Sequence, residues 1–133
     1  MDQRTSLNSL RNMALTASKA YRTKPGVSVP EWDGVKVTLR EPSGDAWVKF
    51  REIVNPQIPE GEEPPQLTES QKFLRNKEAD VVLFIDVLLD ENGERVFTDD
   101  DLEQVSKIYG PVHTRLLGQA LGLGMSQEEA GKP

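Results

Sequence analysis

The chain has 133 residues, enough for one domain with its own core but not for two. It is 36% apolar and 29% charged, with a net charge of −6, a balance that speaks against nucleic-acid binding, which needs a basic stripe to displace phosphate counterions. The lack of cysteine excludes a disulfide framework and a cysteine-based zinc site.

Residues 1–24 carry Arg4, Arg11, Lys19, Arg22 and Lys24 against Asp2, a local charge of +4 that leaves −10 for the rest. Leu7, Leu10, Ala14, Ala17 and Tyr21 recur at helical spacing, but serine, threonine and asparagine dilute the propensity. The segment is expected to be a partly disordered basic arm. It reads either as a solvated tail or as a head-to-tail contact with the acidic body of another copy, a geometry that closes rings or winds spirals. Lys24-Pro25-Gly26 ends it. No run is apolar enough to span a membrane, and no apolar stretch follows the basic residues as a secretory signal requires. The expectation is a soluble protein that binds neither membrane nor nucleic acid.

Val27 and Val29, then Val35, Val37 and Leu39, alternate with polar residues around Trp32-Asp33-Gly34. This predicts a hairpin over 27–40 with a positive-φ turn, its first strand held to an edge by Pro30. Ser43 is a candidate N-cap with Asp45 in the first turn. Ala46, Trp47, Phe50, Ile53 and Val54 then make an amphipathic helix to about 54, which puts Trp47 in the core and leaves Trp32 exposed at the turn. From Asn55 to Gln66, Pro56, Pro59, Pro64 and Pro65 accompany Glu60, Glu62 and Glu63, so this is read as a disordered acidic loop.

Thr68-Glu69-Ser70-Gln71 is a capping box. The helix it opens meets the apolar run 79–89, where periodicity does not separate a buried helix from a buried strand. Continuity with the cap and the lack of alternation favour a central helix, ended at Asp90-Glu91-Asn92-Gly93 with Gly93 left-handed. A short extended piece from Glu94 to Phe97 leads to a second capped start at Thr98-Asp99-Asp100-Asp101. Leu102, Val105, Ile108 and Tyr109 form the stripe of that helix, and Gly110-Pro111 breaks it. Pro111 opens a final helix with Val112, Leu116, Leu117, Ala120, Leu121 and Leu123 on its apolar face. Gly118, Gly122 and Gly124 suggest close approach to a neighbour, and 125–133 reads as a flexible tail. The fold class is mainly α with a small N-terminal β-hairpin (α+β), a single-domain helical bundle over 25–124.

Catalytic chemistry is scarce. His113 is the only histidine, it has no serine or cysteine nucleophile motif near it, and it reads as a packing residue. The glycines at 118–124 sit in a helical pattern without the Lys-Ser/Thr of a phosphate loop. An EF-hand register on Gly93 places its first ligand on Leu88 and its twelfth on Asp99 instead of a glutamate, so the acids are read as helix-end charges and no metal or cofactor is expected.

Two blocks carry a likeness: Val29-Pro30-Glu31-Trp32-Asp33-Gly34 leading to Val37-Thr38-Leu39-Arg40-Glu41-Pro42-Ser43, and Leu88 to Leu102 with the Leu116-rich helix after it. In this order and spacing, over about residues 20–125, the chain resembles the tail assembly chaperones of long-tailed, non-contractile (lambdoid) bacteriophages. The resemblance implies a mainly helical, non-catalytic protein of phage morphogenesis that coats the tape measure protein, keeps it soluble and recruits tail tube subunits. It also implies self-association into a ring or spiral, action in the host cell cytoplasm, absence from the mature virion, and a longer form made by translational frameshifting that reaches the tail tube protein. Gly131-Lys132 fits GGG-AAA slippery codons, although the dipeptide is an ordinary one. Partner contacts are expected at Trp32, Val112, Leu116 and Leu121, and in the arm at Arg4, Arg11 and Arg22. The rival readings are a structural virion protein such as a head–tail connector or minor tail protein, and a small acidic enzyme pairing His113 with Asp86, Asp90 and Asp99.

Overall fold

The computed structural model describes the backbone of residues 3–16 and 20–131, and the side chains of 7–16 and 20–124. An N-terminal helix, α1 (Gln3–Leu15), precedes a hairpin of β1 (Thr23–Val29) and β2 (Val35–Arg40). Helices α2 (Gly44–Val54) and α3 (Glu69–Val87) follow, the latter passing directly into the two-residue strand β3 (Leu88–Leu89). Two further helices, α4 (Leu102–Ile108) and α5 (Pro111–Gly131), complete the chain. The protein is thus mostly helical with one small antiparallel sheet of order β1-β2-β3.

The hairpin forms where the alternation places it. Asp33 (φ 57°) and Gly34 (φ 73°) make the left-handed turn, after a single 3-10 turn over Pro30–Trp32. β1 begins earlier than expected, at Thr23 inside the arm, and tolerates Pro25 because it is an edge strand with an irregular register between Lys24 and Val27. The third strand was not anticipated. Its pairing of Leu88 with Leu39 and Leu89 with Thr38 converts the end of the apolar run into sheet.

All three predicted caps form, the one at Thr98 with Asp101 Oδ2 accepting from Thr98 N at 2.8 Å and opening a 3-10 turn ahead of α4. Ser43 Oγ accepts from Ala46 N at 3.2 Å. Thr68 Oγ1 accepts from Gln71 N at 3.1 Å, and Gln71 Oε1 accepts from Thr68 N at 2.9 Å. The ambiguous run is helical as far as Val87, and its residues 81–85 are all buried because α3 is covered on several sides, by α2, α4 and α5. Phe84, Leu83, Leu39, Val29 and Leu116 are the largest fully buried side chains, so the core lies between the sheet and the C-terminal half of α3, with α5 across both.

Several expectations are corrected. Trp47 is 39% exposed, while Trp32 is half-buried against the core. The buried line of α2 runs through Ala46 and Phe50, and Trp47 lies one position off it, resting edge-on to Phe50 at 5.5 Å. Gly93 (φ 85°) does not end a helix; it closes a tight turn whose Asp90 Oδ1 accepts from Asn92 N and Glu94 N. A Cβ on Gly118 or Gly122 would meet nothing within 4 Å, so neither glycine serves close packing within the chain. Backbone helix continues through the expected tail to Gly131, while in the arm α1 is the helix that the spacing of Leu7, Leu10 and Ala14 permits. Asn55 to Gln66 is an irregular exposed loop.

Candidate functional site

Two open apolar depressions mark the surface of the described residues. The first is an open cleft of about 540 Å³ lined by Trp32, Val35, Val37, Leu88, Val96 and Phe97. Residues of the hairpin, of β3 and of the 90–97 turn meet in it, and Val35 and Val96 are exposed there. Trp32 is held from behind by His113, ring to ring at 5.8 Å. His113 also meets Phe84 at 5.1 Å and Tyr109 at 5.4 Å, and its Nδ1 accepts from Gly110 N at 3.0 Å. Burial lowers its pKa by disfavouring the imidazolium, and pushes the Tyr109 phenol up to about 12. The hairpin is pinned to α5 by Glu31 and Arg115, a bidentate pair with both contacts at 2.7 Å. Those hydrogen bonds hold the Glu31 carboxyl down at about 2.

The second depression, of about 740 Å³, runs between the first half of α3 and the start of α5, with Phe73, Lys77, Asp80, Tyr109, Pro111 and Thr114 along it. Phe73 and Leu74, neighbours on one helix turn, are 67% and 56% exposed, and Ile108 nearby is 62% exposed. Asp80 lines this groove as a half-buried residue, and desolvation raises its pKa. No ion pair among the described residues uses it.

The expected contact residues divide. Trp32 lines the first cleft. Val112 and Leu121 are half-buried and packed on the core. Leu116 is fully buried, because its turn of α5 faces the sheet and α3, so it offers no surface to a partner. Arg22 is engaged within its own chain. Its Nη1 donates to the carbonyls of Leu123 and Gly124 at 3.1 and 3.3 Å, and lies 3.9 Å from Glu41. Arg11 is exposed on α1, and the side chain of Arg4 lies outside the described residues. Sequence reasoning missed the Phe73 groove and the Val35–Val96 rim. Adjacent Phe73 and Leu74 among polar neighbours were the available signal, since both cannot face one core.

The acids proposed for an enzyme are not gathered around His113. Asp86 is taken by Arg40, Ser43 N and Ser43 Oγ at 2.7, 2.7 and 3.1 Å. Asp99 receives Lys49 at 2.6 Å, which lowers its pKa, and Asp90 holds its own turn. What remains is a folded framework carrying exposed apolar surface, which is the anatomy of a binding module.

The family model described as phage tail assembly chaperone matches residues 9–133. The chain belongs to that family. The structure of the bacteriophage HK97 tail assembly chaperone is similar, at 50% identity and a TM-score of 0.73 over 87% of this chain and 97% of that one. No curated protein matches. Family membership makes this chaperone a non-catalytic protein of phage tail assembly. No helix among its described residues is long and apolar enough to cross a membrane.

Proposed function

We propose that this chaperone binds the tape measure protein, keeps it soluble during tail assembly in the host cytoplasm, and helps recruit tail tube subunits to it. The observation that carries the reading is the exposed apolar surface on an otherwise polar, acidic domain, above all the cleft formed by Trp32, Val35, Val96 and Phe97. A long apolar-faced helix kept soluble by a chaperone needs such a strip, rimmed by charge. Here Lys36, Asp90 and Glu91 supply the rim. Trp32 is the proposed anchor, and half-buried Val112 and Leu121, packed against the core, are the further proposed contacts on α5.

The same reading includes self-association into a ring or spiral through the N-terminal arm, with Arg4 and Arg11 among its contacts. It also includes a longer frameshifted form that contacts the tail tube protein, and absence of the chaperone from the finished virion. Co-expression tests the central point. The tape measure protein should stay in the soluble fraction with the wild-type chain and move to the pellet with the Val35→Asp, Val96→Asp double variant. Equal solubility with both chains would overturn the assignment of this cleft. Presence of the chain in purified particles, read by mass spectrometry, would favour a structural virion protein instead.

A further inference from the structure

Helix α1 poses a packing problem that the described residues do not solve. Every described side chain of the helix is exposed, including Leu7 at 65% and Leu10 at 61%. A helix of this length is marginal in water without a surface to cover its apolar face, and its asparagines and serines make it more so. Leu7, Leu10 and Ala14 lie on one face, and Arg11, four residues after Leu7, lies at the edge of that same face. The helix contains two arginines and no acid.

The groove between α3 and α5 has the opposite character. Its walls are Phe73, Tyr109 and Pro111, and Asp80 sits within it as a half-buried carboxylate outside every described ion pair. Of the two cations beside it, Arg115 is committed to Glu31, and Lys77 makes no ion pair with Asp80. An apolar helix face with a cation on its edge thus meets an apolar groove with an unpaired anion.

We infer that α1 of one copy docks in the α3–α5 groove of a second copy, Leu7 and Leu10 against Phe73 and Tyr109, and Arg11 toward Asp80. The inference deepens the proposed self-association and rests on it. The contact joins different surfaces of the two copies, so it leaves a free helix at one end of an assembly and a free groove at the other. It also sets this groove apart from the Trp32 cleft, which stays open to the tape measure protein in every subunit.

The natural absence of cysteine makes the test clean. Leu10→Cys and Asn76→Cys chains, both altered at exposed positions, are mixed under oxidising conditions and separated on non-reducing gels. A disulfide needs Cα atoms within about 7 Å, so docking predicts a mixed dimer that dominates over either homodimer. That dimer should be lost when Phe73→Asp is added to the Asn76→Cys chain, a change at an exposed residue that leaves the fold intact. No preferred mixed dimer, from chains whose wild-type parent still self-associates by light scattering, would overturn the docking alone. A wild-type chain that stays monomeric would overturn the self-association reading as well. A monomeric Leu10→Cys, Asn76→Cys double variant that closes its disulfide internally would show α1 occupying its own groove, and would overturn the second copy as occupant.

Discussion

Replacing Arg40 with alanine leaves Asp86 as a nearly buried carboxylate without its cation. The two side chains are 9% and 13% exposed and 2.7 Å apart. Arg40 Nη2 also donates to the Asp86 carbonyl at 2.6 Å, and its guanidinium lies 4.9 Å from the centre of the Tyr21 ring. Breaking such a pair by removing one partner costs about 3–5 kcal/mol, because the remaining charge keeps its desolvation penalty. With an unfolding entropy of roughly 2.1 cal/mol/K per residue, the whole chain loses about 3–4 °C of Tm per kcal/mol, so Arg40→Ala should melt about 10–18 °C below wild type. Thermal and urea unfolding followed by circular dichroism at pH 7 reads both quantities. The Arg40→Met, Asp86→Leu double variant should recover part of the loss, since apolar replacement of both partners removes the stranded charge while Ser43 N loses its acceptor. A loss below about 1 kcal/mol for Arg40→Ala, the range of exposed pairs, would refute the reasoning that Asp86 is stranded in a desolvated site.

Two further predictions concern pH. Glu31 is held at about 2 by its hydrogen bonds to Arg115, against an ordinary value of 4.5. Its folded pKa is the lower one, so the stability it contributes is present above pH 4.5 and lost as pH falls toward 2. Glu31→Gln should flatten the acid side of the stability profile in that window, and carboxyl NMR of the wild type should show one glutamate titrating far below the others. An ordinary midpoint for Glu31 would remove the pair from solution. His113 also has its folded pKa lowered, by burial, so folding becomes less favourable as pH falls below 6.5. As the single histidine, it gives one imidazole titration by NMR, with a midpoint expected below 6.5. A midpoint above that value would mean that the stack with Phe84 and Tyr109 is open in solution.

Local chemistry alone determined much of this protein. The hairpin turn at Asp33-Gly34, the Ser43 cap, the Thr68–Gln71 box and the proline opening α5 each depend on residues within a few positions of one another, so composition and spacing suffice to place them. The family likeness was legible for a related reason: it rests on two short blocks and their order. The candidate contacts were less legible. Trp32 could be singled out, but whether an indole faces solvent or a histidine depends on where α5 crosses the hairpin. Leu116 and Trp47 exchanged their expected surroundings because amphipathic spacing gives the direction of a face and not what covers it. The pairing of Leu88 and Leu89 with β2, the Arg40–Asp86 pair and the groove around Phe73 each join segments tens of residues apart. Those features appear only when the chain closes on itself, because burial and charge pairing are properties of the neighbours that tertiary packing supplies.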